Sequence, residues 1–302
     1  MAASAPSGKG TIEVRAKRSG WRTSGCAGLA FSHWLRRIGA TTMLVERAPR
    51  FQALGHYISL KGNGVEMVRR MGILEACQAR AAPLEEVYFY TAARRLLRVE
   101  RTAALAKTLG GYILFRRADL QATLYGLVQE NTDIRFGAQI EEVRPAVAGV
   151  EVRLSDGRVE RCDLLVGADG IHSRVRGLVF GEGFERSLGG HYIAVSQTFR
   201  HRLPAVVHSY LGIGRMVNLF PVTPDSVSAV VYTGASAGPP PHDGPLAMRD
   251  YLLATCAGFP DEALRVLDDI RANDFVFSDA IAQVEMSRTT RDRCALIGDA
   301  AH

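Results

Sequence analysis

Residues 163–176 read DLLVGADGIHSRVR and decide the fold. The apolar run 164–166 has the length and composition of a buried strand, and Ile171 is predicted to open a helix. The turn between them carries Asp169 and Gly170. In doubly wound α/β proteins, a polar turn at the carboxyl end of a parallel strand lies where ligands bind. This stretch therefore predicts an α/β fold with a ligand site near Asp169.

A second stretch has the same organisation near the start of the chain. Gly25-Cys26-Ala27-Gly28 precedes an amphipathic helix, and the next strand ends at Glu46. An acidic residue about 20 residues after a glycine turn is typical of dinucleotide sites, where its carboxylate accepts hydrogen bonds from ribose hydroxyls. However, Thr23 replaces the first glycine of the G-x-G-x-x-G pattern, and 11–24 lack the apolar strand that should precede the turn. A plain glycine-capped helix therefore remains an alternative.

A third stretch, Leu296-Ile297-Gly298-Asp299, again ends a buried strand in a glycine and an aspartate. Each aspartate taken singly could simply cap the structure that follows it. That alternative does not account for three such turns in one chain. The three turns together favour a single ligand crevice at one edge of a parallel sheet.

The order of the predicted elements divides the chain. Strand patterns dominate after residue 182, and a buried strand typical of the first domain returns near 295. We therefore predict an inserted, mainly antiparallel second domain. The predicted boundaries are an atypical, disordered start at 1–23, a first domain at 24–181 with a β-rich excursion near 84–116, a second domain at 182–290, and a return to the first domain at 291–302.

The composition excludes several classes of protein. The 302 residues carry 37 Lys+Arg against 31 Asp+Glu, a net charge of +6. The basic residues form no patch interleaved with aromatics, so no nucleic-acid partner is expected. No apolar segment reaches the roughly 18 residues of a membrane span. Five widely spaced cysteines suit reduced thiols in the cytoplasm better than disulfides or a zinc site. No metal site is predicted.

Together the three turns resemble the FAD-dependent aromatic hydroxylase type of flavoprotein monooxygenase, the p-hydroxybenzoate hydroxylase fold. The glycine turn and Glu46 resemble the FAD fingerprint of that family, Asp169-Gly170 its DG motif, and Gly298-Asp299 its GD motif. Arg117-Ala118-Asp119-Leu120 is similar to the family's R-x-[DE]-L segment. The resemblance implies a Rossmann-like FAD-binding domain of the glutathione-reductase type with an inserted antiparallel substrate domain.

The resemblance also implies site residues. Those expected to bind the cofactor are Gly25, Gly28, Glu46, Arg47, Arg117, Asp169, Gly170, Gly298 and Asp299. No catalytic side chain is expected, because the flavin carries the chemistry. Arg174 and Arg176 could either attract the phosphates of the nicotinamide cofactor or solvate a helix face. His172 is expected to have a structural role.

The implied activity is hydroxylation of an aromatic or polycyclic small molecule with NAD(P)H and O2, through a flavin C4a-hydroperoxide. Period-2 alternation places Met216, Asn218 and Phe220 on one strand face, which makes them weak candidates for substrate contact together with Gln197. A plain half-buried strand is the alternative.

Two departures from the family pattern accompany these expectations. The chain stops at His302, where the family continues into a Pro/Gly-rich loop and a helix, and the first strand of the family is not recognisable. An inactive or weakly FAD-binding truncated remnant is therefore a second hypothesis. A halogenase, epoxidase or reductase of the same fold is a third.

Overall fold

The computed structural model describes six ranges of the chain: 11–16, 25–51, 56–146, 149–197, 201–272 and 274–302. Only the backbone is described for 11–16, Gln197 and Phe275. The helices are α1 (Cys26–Arg37), α2 (Asn63–Arg70), α3 (Leu74–Gln78), α4 (Thr102–Leu109), α5 (Arg117–Val128), α6 (Arg174–Phe180), α7 (Pro245–Thr255) and α8 (Asp261–Asp268), with 3₁₀ turns at Ala235–Ala237 and Gly298–Ala300.

The strands are β1 (Thr11–Ala16), β2 (Thr41–Glu46), β3 (Tyr57–Lys61), β4 (Glu86–Thr91), β5 (Leu96–Arg101), β6 (Tyr112–Arg116), β7 (Asp133–Phe136), β8 (Ile140–Ala146), β9 (Gly149–Leu154), β10 (Val159–Cys162), β11 (Leu164–Gly167), β12 (Glu185–Gln197), β13 (Val207–Gly212), β14 (Arg215–Thr223), β15 (Ser226–Thr233), β16 (Phe275–Val284), β17 (Thr290–Arg291) and β18 (Cys294–Leu296). They divide between two compact units. The first unit comprises 1–53, 121–186 and 282–302, and the second comprises 54–120 and 187–281.

The first unit contains a six-stranded sheet in the order β17-β18-β11-β1-β2-β7. All adjacent strands of this sheet pair in parallel, except that β17 and β18 pair with each other in antiparallel fashion. The strands β2 and β11 are aliphatic and almost fully buried, as expected for a parallel sheet covered on both faces. A separate antiparallel sheet, β10-β9-β8, adds Val150, Val152 and Leu154 to the same core.

The second unit contains a seven-stranded sheet in the order β16-β12-β15-β14-β13-β4-β5. One face packs against α7 and α8 around Val217, Leu219, Val231 and Leu252. The ribbon formed by β3 and β6 supplies Leu114 to a smaller cluster, which also holds strand residues from the opposite face of this sheet. The alternating burial of β14 separates these two faces.

The predicted domain boundaries differ from these units. Residues 54–120 were expected in the first domain, but β4 pairs in parallel with β13 and thereby joins the sheet of the second unit. Sequence alone does not indicate this pairing, because the two strands lie far apart in the chain. The helix α4, between β5 and β6, was also not predicted.

The prediction of a disordered start was wrong for 11–16. These residues form β1, which lies between β2 and β11 and pairs with both in parallel. Two neighbouring strands can select an extended conformation that a weak local pattern does not reveal. Residues 1–10 and 17–24, including Thr23, lie outside the described residues.

One smaller expectation also changes. The helix predicted from Ile171 begins at Arg174, because 171–173 form the turn that leads into it. Within the described ranges, no helix has both the length and the apolar character that a membrane crossing requires.

Candidate functional site

The turns singled out in the sequence follow strands that end at one edge of the first unit's sheet. Ala16 at the end of β1 pairs with Glu46, the last residue of β2. Gly167, the last residue of β11, pairs with Leu296, the last residue of β18. Since these strands are adjacent and parallel, the turns after β2, β11 and β18 lie along the same edge. This is where ligands bind in open α/β sheets.

The first turn of α1 has features that favour an anionic ligand. Gly25 is extended and precedes the helix, no described side chain caps the amino end, and the first turn contains no acid. The unpaired backbone N–H groups of a helix start, together with the helix dipole, favour a phosphate at this position. Gly28 is buried on the same helix. These features are compatible with pyrophosphate binding, and the cofactor role of Gly25 and Gly28 remains a prediction.

The turn after β18 packs against this helix start. Gly298 has φ +59°, and a Cβ at this position would lie 3.0 Å from the Cβ of Ala27. A side chain there would therefore be both strained and crowded. Asp299, the next residue, is exposed, and its carboxylate has no hydrogen-bond or ion-pair partner in the described part of the chain. The backbone at Gly298 thus lies against the amino end of α1, and the exposed Asp299 follows it in the chain.

Glu46 is a buried carboxylate at the same edge, only 2% exposed. Its Oε1 accepts a 2.7 Å hydrogen bond from the backbone N–H of Ala48. This bond fixes the side chain within the turn that follows β2. Arg47 is half-buried beside it. A fixed, buried carboxylate at the end of the strand that follows the glycine turn and its helix is suited to accept hydrogen bonds from the hydroxyl groups of a ribose.

The Asp169 carboxylate binds to its own chain. One oxygen accepts the Ser173 hydroxyl, and the other accepts the backbone N–H groups of Arg174 and Val175 at 2.7 and 3.1 Å. Asp169 therefore caps α6, which is the alternative that the sequence left open. Gly170 supports the turn with φ +80°. The role of these two residues in cofactor binding remains a prediction.

Arg176 is a site residue whose role the sequence did not reveal. It is 4% exposed and donates to the carbonyl oxygens of Ala300 at 3.2 Å and Ile171 at 2.5 Å. The same guanidinium forms a 2.5 Å ion pair with Glu185. Arg176 thus connects the turn after β11 with the turn after β18, and neither predicted role, phosphate attraction or solvation of a helix face, describes it.

His172 and Arg174 lie next to this network. His172 Nδ1 lies 2.8 Å from the second carboxylate oxygen of Glu185, which agrees with the structural role expected for it. Arg174 is exposed. The signal that could have identified Arg176 is its position in the helix, because Val175 and Arg176 are the two residues of α6 that face the protein interior.

Arg117 belongs to the second unit, at the junction of β6 and α5. Its backbone N–H donates a 2.9 Å hydrogen bond to the carbonyl oxygen of His56. Burial, and secondarily the charge of Arg117, lower the pKa of His56 to about 4. The imidazole is therefore neutral at physiological pH.

This shift predicts that acid destabilises the protein through His56. Between pH 6.5 and 4 the unfolded chain binds a proton at this residue while the folded chain does not, so stability falls as the pH falls. We expect His56→Gln to lose less unfolding free energy than the parent between pH 7 and 4.5 in chemical denaturation. His242→Gln, at an exposed histidine, is the control. Equal losses in the parent and His56→Gln would contradict the prediction.

The substrate candidates lie on β14 and β12 of the second unit. Met216, Asn218 and Phe220 are half-buried and alternate with the buried Val217 and Leu219. The Ser209 hydroxyl donates to the Asn218 side-chain oxygen. Phe220 stacks on Tyr57 with ring centres 5.5 Å apart, within the small cluster to which the β3–β6 ribbon contributes. Gln197 ends β12, and its side chain lies outside the described residues.

The polar groups of the first unit fit the adenosine and pyrophosphate end of FAD. It combines an uncapped helix start, a glycine that a Cβ would crowd, a buried carboxylate and an exposed one. The FAD binding domain family matches residues 23–230. The chain therefore belongs to the FAD binding domain family.

Relatives and solved structures agree with this membership. Protein Rv1260 of Mycobacterium tuberculosis is uncharacterized and 31% identical over 296 residues, covering 91% of this chain and 76% of that protein. A flavin-dependent monooxygenase of Legionella longbeachae is 26% identical over 291 residues, covering 92% and 72%. The structure of Klebsiella pneumoniae HpxO with FAD and uric acid matches with a TM-score of 0.79 at 22% identity, covering 97% and 73%.

These findings confirm the resemblance to flavoprotein monooxygenases and the predicted fold class, an α/β FAD-binding domain with an antiparallel sheet. They also confirm the expectation of an FAD-dependent enzyme. The assignment of individual site residues remains a prediction.

Proposed function

We propose that this protein hydroxylates an aromatic or polycyclic small molecule, using FAD, NAD(P)H and O2. The observation that carries the proposal is the shared sheet edge, where Glu46, the start of α1 and the Gly298-Asp299 turn lie together. When bound, FAD supplies the redox chemistry, accepting a hydride from NAD(P)H and activating O2 so that one oxygen atom enters the substrate and the other leaves as water.

The residues of the chain bind and orient the cofactor. The backbone N–H groups at the start of α1, between Gly25 and Gly28, bind the pyrophosphate. Glu46, with Arg47 beside it, accepts hydrogen bonds from the ribose hydroxyls, and Asp299 binds the ribityl region of the flavin. Arg117 acts at the flavin end, as the family resemblance implies. Asp169 and Gly170 keep the adjacent turn in place, since the carboxylate of Asp169 caps α6 and Gly170 has a positive φ.

The substrate is bound by the sheet of the second unit. An apolar face with a few polar groups is typical of sites for flat organic molecules, and Met216, Asn218 and Phe220 provide such a face, with Gln197 at the end of a nearby strand. The neighbour HpxO was solved with uric acid, a planar heterocycle. Because Cys77, Cys256 and Cys294 are buried thiols outside any disulfide, we also propose a reducing, cytoplasmic location.

Flavin binding tests the proposal most directly. The purified chain should take up FAD and show the flavin absorbance band near roughly 450 nm, a property of the cofactor. Glu46→Ala should weaken FAD binding by about 1–3 kcal/mol, because ribose hydroxyls lose a buried acceptor. Fluorescence titration measures this, and Glu182→Ala, at an exposed acid, should bind as the parent does. Equal affinities in all three proteins would remove the ribose role of Glu46.

Turnover separates the proposal from its alternatives. Hydroxylation predicts NAD(P)H oxidation that increases with an aromatic substrate and requires no halide. A halogenase would need halide, and a chain that stays colourless with excess FAD would be a non-binding remnant.

A further inference from the structure

The outer side of β5 is a sheet edge that the proposed function does not use. β5 is the last strand in the order of the seven-stranded sheet, and among the described strands it pairs with β4 alone. Its residues 96–99 and 101 are exposed. An edge strand carries a row of unpaired N–H and C=O groups that can pair with a further strand. This edge is therefore a candidate interaction surface.

Exposed apolar side chains concentrate along this strand and the helix that follows it. Between 39 and 50% of the surface of each of four such side chains is exposed, namely Leu96, Leu97, Val99 and Leu109. The helix α4 contains no buried residue. A groove of about 520 Å³ lies between β5 and α4 and is lined in part by Val99, Leu105 and Leu109. We call residues 96–109 the β5 edge; exposed apolar surface concentrated in this way marks sites of association.

The pairing of β5 with β4 determines which backbone groups point outward. The backbone N–H of Thr102 donates a 2.8 Å hydrogen bond to the carbonyl oxygen of Glu85, in the same register that pairs Glu100 with Val87. In an antiparallel pair, successive residues turn their N–H and C=O groups alternately toward and away from the partner strand. The backbone groups of Glu100 therefore point toward β4, and those of Val99 point outward.

The charges of β5 select one register for pairing with a second copy of the chain. A two-fold axis perpendicular to the sheet makes the two β5 strands antiparallel, and outward-pointing backbone groups meet only if this axis passes through a residue. Within the regular stretch 98–101, an axis through any of the three charged residues sets that residue opposite its own copy, which repels. An axis through Val99 instead sets Arg98 of each copy opposite Glu100 of the other, which attracts.

We propose that the β5 edge is a homodimer interface in which the β5 strands of two copies pair antiparallel about Val99. The two Val99 residues form a hydrogen-bonded pair, and Arg98 lies opposite Glu100 at the neighbouring positions, where side chains of facing strands approach most closely. Arg98 also pairs with Glu100 of its own strand at 2.8 Å. The four side chains therefore form a closed ring of alternating charges, and the seven-stranded sheets of the two copies become continuous.

The same register covers the exposed leucines. It sets Leu97 of the second copy opposite Arg101, directly before α4, and brings Leu96 and Leu97 of that copy to the groove beside Leu105. Removal of these side chains from water drives the association, whereas the opposed charges fix the register.

The distribution of charge along the strand favours a second copy over a uniformly acidic partner. Arg98 and Arg101 already form ion pairs with Glu100 and Glu86. The edge therefore presents both signs of charge, as a self-complementary surface must. An acidic peptide or an anionic membrane would meet the two carboxylates as well as the arginines, which weakens its attraction to this edge.

Charge reversal tests the interface and its register together. Sedimentation equilibrium of the purified chain in excess FAD should show a reversible dimer at concentrations up to about 100 μM. Arg98→Glu and Glu100→Arg should each raise the dissociation constant of the dimer at least about tenfold, because each variant sets like charges opposite one another twice. An equimolar mixture of the two variants should dimerise as the parent does, and so should the chain that carries both substitutions.

Arg271→Glu is the matched control, since Arg271 is another exposed arginine of the second unit and pairs with Asp269 at 3.4 Å. This variant should dimerise as the parent does. The proposal is overturned if the parent stays monomeric, including the case in which the monomer binds vesicles of anionic lipid or an acidic peptide through Arg98. It is also overturned if both single variants dimerise normally, or if neither the mixture nor the doubly substituted chain recovers the dimer.

Discussion

Arg176→Met should lower the free energy of unfolding by about 2–4 kcal/mol, because one buried and one partly buried carbonyl oxygen lose their donor. The guanidinium side chain is 5% exposed and binds Ile171, Ala300 and Glu185 at once. Glu185 is itself 38% exposed and can be solvated, so most of the loss comes from the two carbonyl groups. Denaturant titration of the purified protein measures the change.

The same variant should also weaken FAD binding, because Arg176 joins the turn after β11 to the turn after β18. Arg176→Lys keeps the charge, but an ammonium group lacks the planar, forked donors of a guanidinium and cannot bind two carbonyl groups and a carboxylate in the same geometry. The lysine variant should therefore recover little of the lost stability. Arg174→Met, at the exposed neighbour, is the matched control. If Arg174→Met and Arg176→Met were equally stable, the connecting role would be disproved.

Gly190→Ala should be the most damaging single methyl group in the second unit. A Cβ at Gly190 would stand 1.9 Å from the carbonyl oxygen of Thr233, and this residue has φ +83°. Residues 191 and 233 pair across β12 and β15, so the backbone cannot move without opening the sheet. Strain of about 1–2 kcal/mol and overpacking of about 1–3 kcal/mol add to a loss of about 2–5 kcal/mol.

Gly258→Ala separates the two contributions. Gly258 has φ +86° and nothing within 4 Å of an added Cβ. It should therefore lose only the conformational part, about 1–2 kcal/mol. Thermal and chemical unfolding of both variants would measure the difference, and equal destabilisation would show that the contact with Thr233 has no cost.

The sequence predicted the edge of the first sheet well because that edge depends on local patterns. Each of the strands ending near Glu46, Gly167 and Leu296 is a short aliphatic run followed by a polar turn. Parallel pairing then places these turns on one side without further information. The exception was β1, whose residues carry a weak apolar pattern and are held by two neighbouring strands.

Other features depended on pairings between distant residues. The domain boundary near 54–120 follows from the parallel pairing of β4 with β13. The ring contacts of Tyr192 with Tyr232 and His56 require the register of β12 and β15 as well as the position of His56 before β3. The burial of Arg176 depends on a carbonyl group more than a hundred residues away. None of these contacts leaves a signal at fixed spacing in the sequence.

The sheet order of the first unit has a consequence for biosynthesis. Because β18 pairs with β11 across residues 187–281 of the second unit, the ribosome must release a long stretch of chain before β11 meets β18. Closing so large a loop costs entropy before the strand pairing compensates it, which slows the step. A nascent chain would therefore expose one edge of β11 during translation, and at that stage it would depend on chaperones to avoid aggregation.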